Sequence, residues 1–241
     1  MKTSGNKILI TGGATGIGLG LAGRFLEENN TIIICGRRES VLKEARQKFP
    51  SLIAFPCDLS VVDHRERLFQ WISAKHPDLN VLINNAGIQN WMTTDDADFY
   101  QRAKEEIAIN LEAPLHLVSL FSNLSSLRTI INVTSALAYI PLVRVPVYSA
   151  TKAFFHSLTL SMREMMNPEK IEVIELIPPT LNTDLGGKGI HNHAPAVDGF
   201  IEAVFKQLEA GKNEIFFGQS EMMAQAAEPL KSIFNRMNHV E

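Results

Sequence analysis

The sequence has only two cysteines, Cys35 and Cys57, which are too few for a disulfide framework. Each lies in an apolar run, a setting typical of buried, reduced thiols in a cytosolic protein. No stretch approaches the ~18 consecutive apolar residues of a transmembrane helix. The apolar run after the polar N-terminus, residues 8–10, is too short for the core of a signal peptide. We therefore expect a cytoplasmic protein with no membrane partner.

Positive charge is also scarce, because 23 lysines and arginines stand against 26 aspartates and glutamates, a net formal charge of −3. This balance lacks the basic footprint of a nucleic-acid-binding domain, so we expect no nucleic-acid partner. His191 and His193 have no cluster of carboxylates or cysteines beside them, which argues against a metal site. Their alternative role is to line the entrance of a substrate pocket. No internal repeat or break in composition marks a linker, which predicts a single domain over residues 1–241.

Short β-branched runs alternate with longer stretches of helical periodicity along the chain. Most of the runs are continuously apolar, as in parallel strands that are covered on both faces. Between the first two runs, Ile17, Leu21 and Phe25 recur on one helical face. The alternation predicts right-handed βαβ units and an α/β fold, a Rossmann-type doubly wound parallel sheet of about seven strands with helices on both faces. The predicted strands are Lys7–Thr11, Thr31–Cys35, Leu52–Phe55, Val81–Asn84, Thr129–Thr134, Ile171–Ile177 and Glu214–Phe217.

A glycine-rich segment, Thr11 to Gly18, follows the first predicted strand and opens the first predicted helix. Glycines at this junction permit a tight turn and let backbone N–H groups approach a pyrophosphate, which then faces the positive end of the helix. A plain turn is the alternative interpretation, but the position in the first βαβ unit favours dinucleotide binding.

The spacing of Gly12, Gly16 and Gly18 resembles the Thr-Gly-x3-Gly-x-Gly motif of the short-chain dehydrogenase/reductase family. Four further matches follow in the family's order, and the resemblance covers about residues 7–185. Details at residues 35–38, 85–89 and 178–179 are similar to the DltE-like bacterial oxidoreductase branch. The resemblance implies the non-extended family fold and an NAD(P)-dependent oxidoreductase. The four further matches are Asn84–Gly87, Asn110, Ser135 and Tyr148–Lys152.

Four residues form the predicted catalytic set. Tyr148 and Lys152 are four positions apart and share one face of a helix, where an ammonium lowers the pKa of a phenol and makes it a general acid/base. Pro114 lacks the N–H that would bond to the carbonyl of Asn110, so this carbonyl is free to hold a water. The resemblance implies that such a water links Lys152 to solvent as a proton relay. Ser135 ends the fifth predicted strand, and the resemblance implies that it holds the substrate oxygen. The alternatives are a surface Tyr–Lys pair, an incidental kink and a turn serine.

The expected adenosine-binding residues follow the second and third strands. The family's acidic position is Gly36 here and Arg37 comes next, so we expect NADP(H) as the preferred cofactor, with NAD(H) as the alternative. The alternative is that Arg37 only begins a solvated helix, in which case no preference for NADP(H) is expected. The resemblance implies that Asp58 and Leu59 contact adenine, although Asp58 can instead cap a helix that starts near Val61. The full set of expected cofactor-binding residues is Gly12, Thr15, Gly16, Ile17, Gly18, Arg37, Asp58, Leu59, Asn85, Ala86, Gly87, Tyr148, Lys152, Pro178, Leu181 and Thr183.

We interpret the chain as an oxidoreductase that transfers a hydride between a nicotinamide, expected to be NADPH, and a small carbonyl or alcohol substrate. A cofactor-binding sensor or scaffold without turnover is the alternative, but the presence of both Tyr148 and Lys152 argues against it. An epimerase or dehydratase of the extended branch needs a larger substrate domain than 241 residues allow. The resemblance implies a homodimer or homotetramer formed through long helices, here Phe99–Leu124 and Tyr148–Asn167. A further amphipathic helix is predicted over Glu221–His239.

Overall fold

Seven parallel strands form one sheet in the computed structural model, which describes residues 1–166 and 171–226. The strands are β1 (Lys7–Thr11), β2 (Thr31–Gly36), β3 (Ile53–Pro56), β4 (Val81–Asn84), β5 (Thr129–Val133), β6 (Glu172–Ile177) and β7 (Glu214–Phe216). Their order is β3-β2-β1-β4-β5-β6-β7, which confirms the expected doubly wound α/β fold. Every strand lies within one residue of its predicted bounds, because the apolar runs are the segments that both layers of helices bury.

Helices pack on both faces of the sheet and complete two hydrophobic cores. They are α1 (Gly16–Glu27), α2 (Glu39–Lys48), α3 (Val62–Lys75), α4 (Phe99–Ile107), α5 (Ala113–Phe121), α6 (Pro146–Met166) and α7 (Val197–Glu209). Side chains alternate across the sheet, so Ile8 and Ile10 of β1 contribute to the first core and Leu9 to the second. Helices α1 and α7 cover the first core, where the rings of Phe25 and Phe205 lie 4.6 Å apart. Helices α3, α5 and α6 cover the second core.

The order of the strands reverses at β1, which lies between β2 and β4. Parallel registers, such as Ile10 with Ile83 on β4, bring the carboxyl ends of the strands to a common edge. Ligands of open α/β sheets bind in the crevice outside this edge, where the strand order reverses. The segments that follow β1, β4, β5 and β6 converge there, and they contain most of the predicted site residues.

The long helix predicted over Phe99–Leu124 is divided in the structure. A π-helical turn, Ala108–Glu112, separates α4 from α5. Pro114 follows directly and cannot donate to the carbonyl of Asn110, so the chain passes through wider hydrogen-bonded rings before the α-helix resumes. The sequence led us to expect a lost α-helical bond at Asn110, and the structure places Asn110 inside the π-helical turn.

The last two predicted helices reach the limits of the described residues. Helix α6 begins at Pro146 and ends at Met166, and the predicted terminal residue Asn167 lies outside the described residues. Residues 219–226 are helical, and the rest of the amphipathic helix predicted to end at His239 also lies outside them. Across residues 1–166 and 171–226, no helix has both the length and the apolar character needed to cross a membrane.

The close contact between α1 and the end of β1 predicts a specific effect on stability. A Cβ atom on Gly18 would lie 2.4 Å from the carbonyl oxygen of Gly12, so Gly18→Ala should lower the free energy of unfolding by roughly 1–3 kcal/mol. Gly199→Ala is the matched control, because its Cβ would meet only Phe217 at 3.5 Å and alanine favours a helix by about 0.5–1 kcal/mol. Urea unfolding of both variants checks this, and equal stabilities would contradict it.

Candidate active site

A single hydroxyl group joins the first strand to the segment that follows β4. The Thr11 side chain donates to the carbonyl of Ile83 at 3.2 Å and accepts the backbone N–H groups of Asn85 and Ala86 at 2.9 and 3.0 Å. The side-chain amide of Asn85 donates to the Thr11 carbonyl at 2.8 Å. These bonds fix Asn85, Ala86 and the following Gly87 beside the glycine-rich turn. Sequence analysis did not assign this role to Thr11, although a buried hydroxyl at a strand end requires a partner.

The glycine-rich turn between β1 and α1 has the shape of an anion cradle. Gly12 and Gly16 have positive φ angles of 63° and 52°, which glycine adopts without strain. Gly18 lets α1 approach the turn more closely than a Cβ atom would allow. Thr15 is the N-cap residue of α1, and its side chain makes no capping bond, so the first N–H groups of the helix can face an anion. Ile17 packs against the first core, and the cradle as a whole fits the pyrophosphate of a dinucleotide.

The segment after β6 closes one side of this cradle. The carbonyl of Pro178 accepts a hydrogen bond of 2.9 Å from the turn that follows β5. The methyl carbon of Thr183 lies 3.4 Å from the position of a Cβ atom on Gly16, so these two predicted cofactor residues are neighbours in space. The side chains of Leu181 and Leu59 are buried in the two cores, which leaves only their backbones to meet a cofactor.

Arg37 and Asp58 lie at the edge of the sheet where the adenosine is expected. Arg37 is exposed after β2, and the Asp58 carboxylate accepts bonds from the Ser60 N–H at 3.0 Å and hydroxyl at 2.7 Å. Burial raises the pKa of Asp58, but the bonds from Ser60 and the charge of Arg37 outweigh it and hold the pKa below its ordinary value. The alternative in which Asp58 caps a helix is wrong, because α3 has Val61 as its N-cap. Sequence analysis missed His64, whose Nδ1 accepts the Asp58 N–H at 3.2 Å.

The Tyr148 and Lys152 side chains are both buried on one face of α6. The Lys152 ammonium donates to the carbonyl of Val133 at the end of β5 at 2.8 Å, and it lies 5.5 Å from the centre of the Tyr148 ring. Burial lowers the pKa of Lys152 to about 8, while the negative charge of Glu175 acts in the opposite direction. The predicted pair is therefore close enough to act together in a site of low polarity.

The pKa of Tyr148 differs from the sequence-based expectation. Burial raises this pKa well above the ordinary value, the Ser135 hydroxyl lowers it, and the charge of Glu106 raises it further. The expected net lowering of this pKa is wrong for this geometry, because burial of the phenol outweighs the effect of an ammonium that is directed at the Val133 carbonyl. At neutral pH the Tyr148 side chain is a neutral phenol, the form that donates a proton.

Ser135 lies next to Tyr148, and Asn110 lines a cavity together with Lys152. The Ser135 hydroxyl accepts the N–H of Leu137 at 3.1 Å in a short 3₁₀ turn directly after β5. Asn110 exchanges two bonds of 2.9 Å with the backbone of Ile88 and donates to the Thr151 hydroxyl at 3.2 Å. The Asn110 side chain therefore links the π-helical turn, the segment after β4 and α6.

A small cavity separates the π-helical turn from Lys152. The space open to a water-sized sphere is about 10 Å³, which is enough for about one water molecule. A Cβ atom on Gly87 would lie 3.3 Å from the Asn110 side-chain oxygen and 3.8 Å from the Lys152 nitrogen, so glycine keeps this approach open. The cavity is lined by residues that include Thr11, Asn84, Asn110, Pro114 and Lys152.

One face of α4 holds the segment that follows Gly87. Arg102 donates to the carbonyl of Trp91 at 2.8 Å, and Glu106 accepts the backbone N–H of Asn90. Asn110, one further turn along, holds the start of the same segment. Glu106 is fully buried, and burial raises its pKa to about 7, although the bond from Asn90 acts against this. Sequence analysis missed Glu106, and its only signal was the four-residue spacing from Asn110.

The two histidines of the segment after β6 show no metal-binding arrangement. The rings of His191 and His193 lie 6.4 Å apart. Among the residues that the structure describes, no group of three or more histidines, cysteines or carboxylates could hold a metal ion.

Comparisons with known proteins agree with this geometry. A family model described as short chain dehydrogenase matches residues 6–193. The chain is 38% identical to "Uncharacterized oxidoreductase DltE" of Bacillus subtilis, with 100% of both proteins covered. It is similar to the structure of a short chain dehydrogenase from Burkholderia cenocepacia in complex with NADP, at 25% identity and a TM-score of 0.83 over 98% of both chains. A short-chain dehydrogenase from Sphingobium yanoikuyae in complex with NADPH, at 20% identity and a TM-score of 0.77 over 94% and 95% of the chains, shares the fold.

The raised pKa of Glu106 predicts a pH-dependent cost to stability. A carboxyl whose pKa is 4.5 when unfolded and about 7 when folded stabilises the fold below pH 4.5 and loses that contribution as the pH rises to about 7. Glu106→Gln removes the titration and keeps an oxygen for the Asn90 N–H. Relative to wild type, this variant should therefore gain on the order of 3 kcal/mol between pH 5 and pH 8.

Urea unfolding at both pH values measures this gain. Glu105→Gln is the matched control, since Glu105 is the exposed neighbour on the same helix. A Glu106→Gln variant whose stability runs parallel to that of wild type would contradict the prediction.

Proposed function

Because the chain belongs to the short-chain dehydrogenase/reductase family, we propose that this oxidoreductase uses NADPH to reduce a small carbonyl substrate through Tyr148, Lys152, Ser135 and Asn110. The observation that carries this proposal is the convergence of the four side chains at the carboxyl edge of the sheet. They lie beside a cradle that fits a dinucleotide. A small carbonyl or alcohol is the substrate class that this arrangement accommodates.

The side chains divide the proposed chemistry between them. A bound nicotinamide dinucleotide supplies the hydride. The Ser135 hydroxyl orients the carbonyl oxygen of the substrate, and the neutral Tyr148 phenol donates a proton to that oxygen as negative charge develops on it. The high pKa of Tyr148 keeps the phenol protonated at neutral pH, which is the form that a reduction step needs.

Lys152 and Asn110 support the proton transfer in this proposal. The Lys152 ammonium lies 5.5 Å from the Tyr148 ring and stabilises the phenolate that forms when the proton leaves. The cavity between Lys152 and the π-helical turn has room for about one water, which can carry a replacement proton. Pro114 has no N–H to donate to the Asn110 carbonyl, and both residues line this cavity.

The preference for NADP(H) rests on the residues after β2. Gly36 offers no carboxylate to a ribose, and the exposed Arg37 guanidinium can grip a 2′-phosphate with charge-assisted hydrogen bonds. The related structure from Burkholderia cenocepacia contains NADP, which supports this choice. The other expected contacts are the cradle residues, the backbone of Asp58 and Leu59, the segment after β4 and Thr183.

Assembly as a homodimer or homotetramer is part of the proposal. Large apolar side chains are exposed on the outer faces of α4, α5 and α6, where they can pair with a second copy. These side chains are Tyr100, Leu115, Phe154 and Met165. We further propose that residues 1–241 form one NAD(P)-binding domain and that the protein acts in the cytoplasm, which the buried free thiols of Cys35 and Cys57 support.

Removal of the Tyr148 hydroxyl tests the proposed proton donor. Tyr148→Phe should lower kcat by roughly 10²–10⁴ and leave NADPH binding unchanged, because the ring stays in place and only the proton is lost. Loss of absorbance at 340 nm with a panel of ketones and aldehydes measures turnover, and cofactor fluorescence measures binding. Tyr100→Phe is the control, because it removes the same hydroxyl from an exposed side chain of α4 and keeps the ring that the proposed interface would use. Turnover near that of wild type in Tyr148→Phe would reject the assignment.

Reversal of the charge at Arg37 tests the cofactor preference. Wild type should use NADPH with a higher kcat/KM than NADH, and Arg37→Asp should lower that ratio by at least about tenfold because a carboxylate repels the 2′-phosphate. Arg46→Asp is the control, because it makes the same change in charge at an exposed position of α2 that lies away from the expected ribose. The preference is wrong if wild type favours NADH, or if both variants keep the wild-type ratio.

A further inference from the structure

A buried carboxylate lies next to the proposed catalytic pair and has no part in the chemistry described above. Glu175 is in the middle of β6, and its side chain has no exposed surface. The Thr134 hydroxyl donates to it at 2.6 Å, and Nδ1 of His156 lies 2.9 and 3.0 Å from its two oxygens. A buried carboxylate is costly unless it is paired in this way, so a position that carries one calls for a reason.

The partners of Glu175 belong to the two elements that hold Lys152. Thr134 directly follows Val133, whose carbonyl accepts the Lys152 ammonium. His156 is four residues after Lys152, and both side chains therefore project from the same face of α6. The carboxylate is thus fixed between the strand end and the helical turn that together determine where the ammonium lies.

The charges around the cluster define its electrostatic effect. Burial lowers the pKa of Lys152, and the negative charge of Glu175 opposes this shift. His156 also faces Glu214 of β7 and Arg163 of α6, which pair with each other at 2.9 Å, and the Tyr139 ring packs on it at 4.8 Å. Burial lowers the pKa of His156, but Glu175 and Glu214 outweigh burial and raise it.

We propose that Glu175 is a positioning residue that keeps Lys152 in its ammonium form, with Thr134 and His156 fixing the carboxylate. The inference rests on the proposed function, because it concerns the lysine of the proposed catalytic pair. A desolvated lysine without a counter-charge would lose its proton at a lower pH and would no longer stabilise the phenolate. Glu175 extends the pH range over which the pair can work.

The test is the pH profile of kcat/KM for NADPH-dependent reduction between pH 6 and pH 10. Glu175→Gln should move the alkaline limb of this profile down by about one pH unit, because the neutral amide no longer favours the ammonium. Glu172→Gln is the matched control, since it makes the same change at the first residue of β6, where the carboxylate pairs with the N-terminal ammonium at 2.9 Å. The control should leave the alkaline limb in place.

The outcomes separate a positioning role from a structural one. A Glu175→Gln variant that loses rate equally at every pH, or keeps the wild-type limb, overturns the inference. If this variant does not fold, Glu175→Asp decides, because it keeps the charge and should keep the wild-type limb whatever its rate. A limb displaced by a full unit in the aspartate variant would also overturn the inference.

Failure of the proposed function is recognised separately. If wild type binds NADPH but reduces no carbonyl compound, the proposed reaction is wrong while the inference about Glu175 can still be tested. In that case the alkaline limb is measured as the pH dependence of NADPH binding, followed by cofactor fluorescence. The same shift in Glu175→Gln then supports the inference, and an unchanged limb overturns it. If wild type binds no nicotinamide dinucleotide, both the proposed function and the inference are wrong.

Discussion

The hydroxyl of Thr11 joins the two strands between which the order of the sheet reverses. It accepts two N–H groups from the segment after β4 and donates to the carbonyl of Ile83. Because this segment forms one wall of the crevice, its position relative to the glycine-rich turn depends on this hydroxyl and on the Asn85 amide, which donates to the Thr11 carbonyl. The bonds between Asn110 and Ile88 hold the next part of the segment, where Gly87 comes close to Asn110 and Lys152. A reversal point creates a crevice in any doubly wound sheet, and here Thr11 helps to hold one wall of it in place.

The site combines burial with charges that act in opposite directions. Tyr148 and Lys152 are both desolvated, which raises the pKa of the phenol and lowers that of the ammonium. Two buried carboxyl groups act on them from other elements, with the charge of Glu106 acting on Tyr148 and that of Glu175 acting on Lys152. In a medium of low dielectric constant such charges act over longer distances than in water, so side chains that never touch the substrate can set the protonation states of those that do.

Helix α4 and the π-helical turn show how local sequence and tertiary contact cooperate. Pro114 alone is enough to disturb the helical hydrogen bonds, and the sequence therefore predicted that the Asn110 carbonyl lacks an α-helical donor, although it did not predict the π-helical turn itself. The use of that helix face could not be predicted, because the segment that Arg102, Glu106 and Asn110 hold has no regular secondary structure and no periodic signal of its own. The helix supplies one contact per turn, and the segment supplies only backbone groups.

The sequence alone determined the seven strands, the parallel sheet, the glycine cradle and the spacing of Tyr148 and Lys152. These features depend on local hydrophobic pattern, on turn chemistry and on positions a few residues apart, all of which can be read along the chain. Only the tertiary structure decided the protonation of Tyr148, the roles of Thr11 and Glu106, and the place of Glu175 beside Lys152. Each of these depends on burial and on neighbours from distant segments, so the physical cause does not exist until the chain is folded.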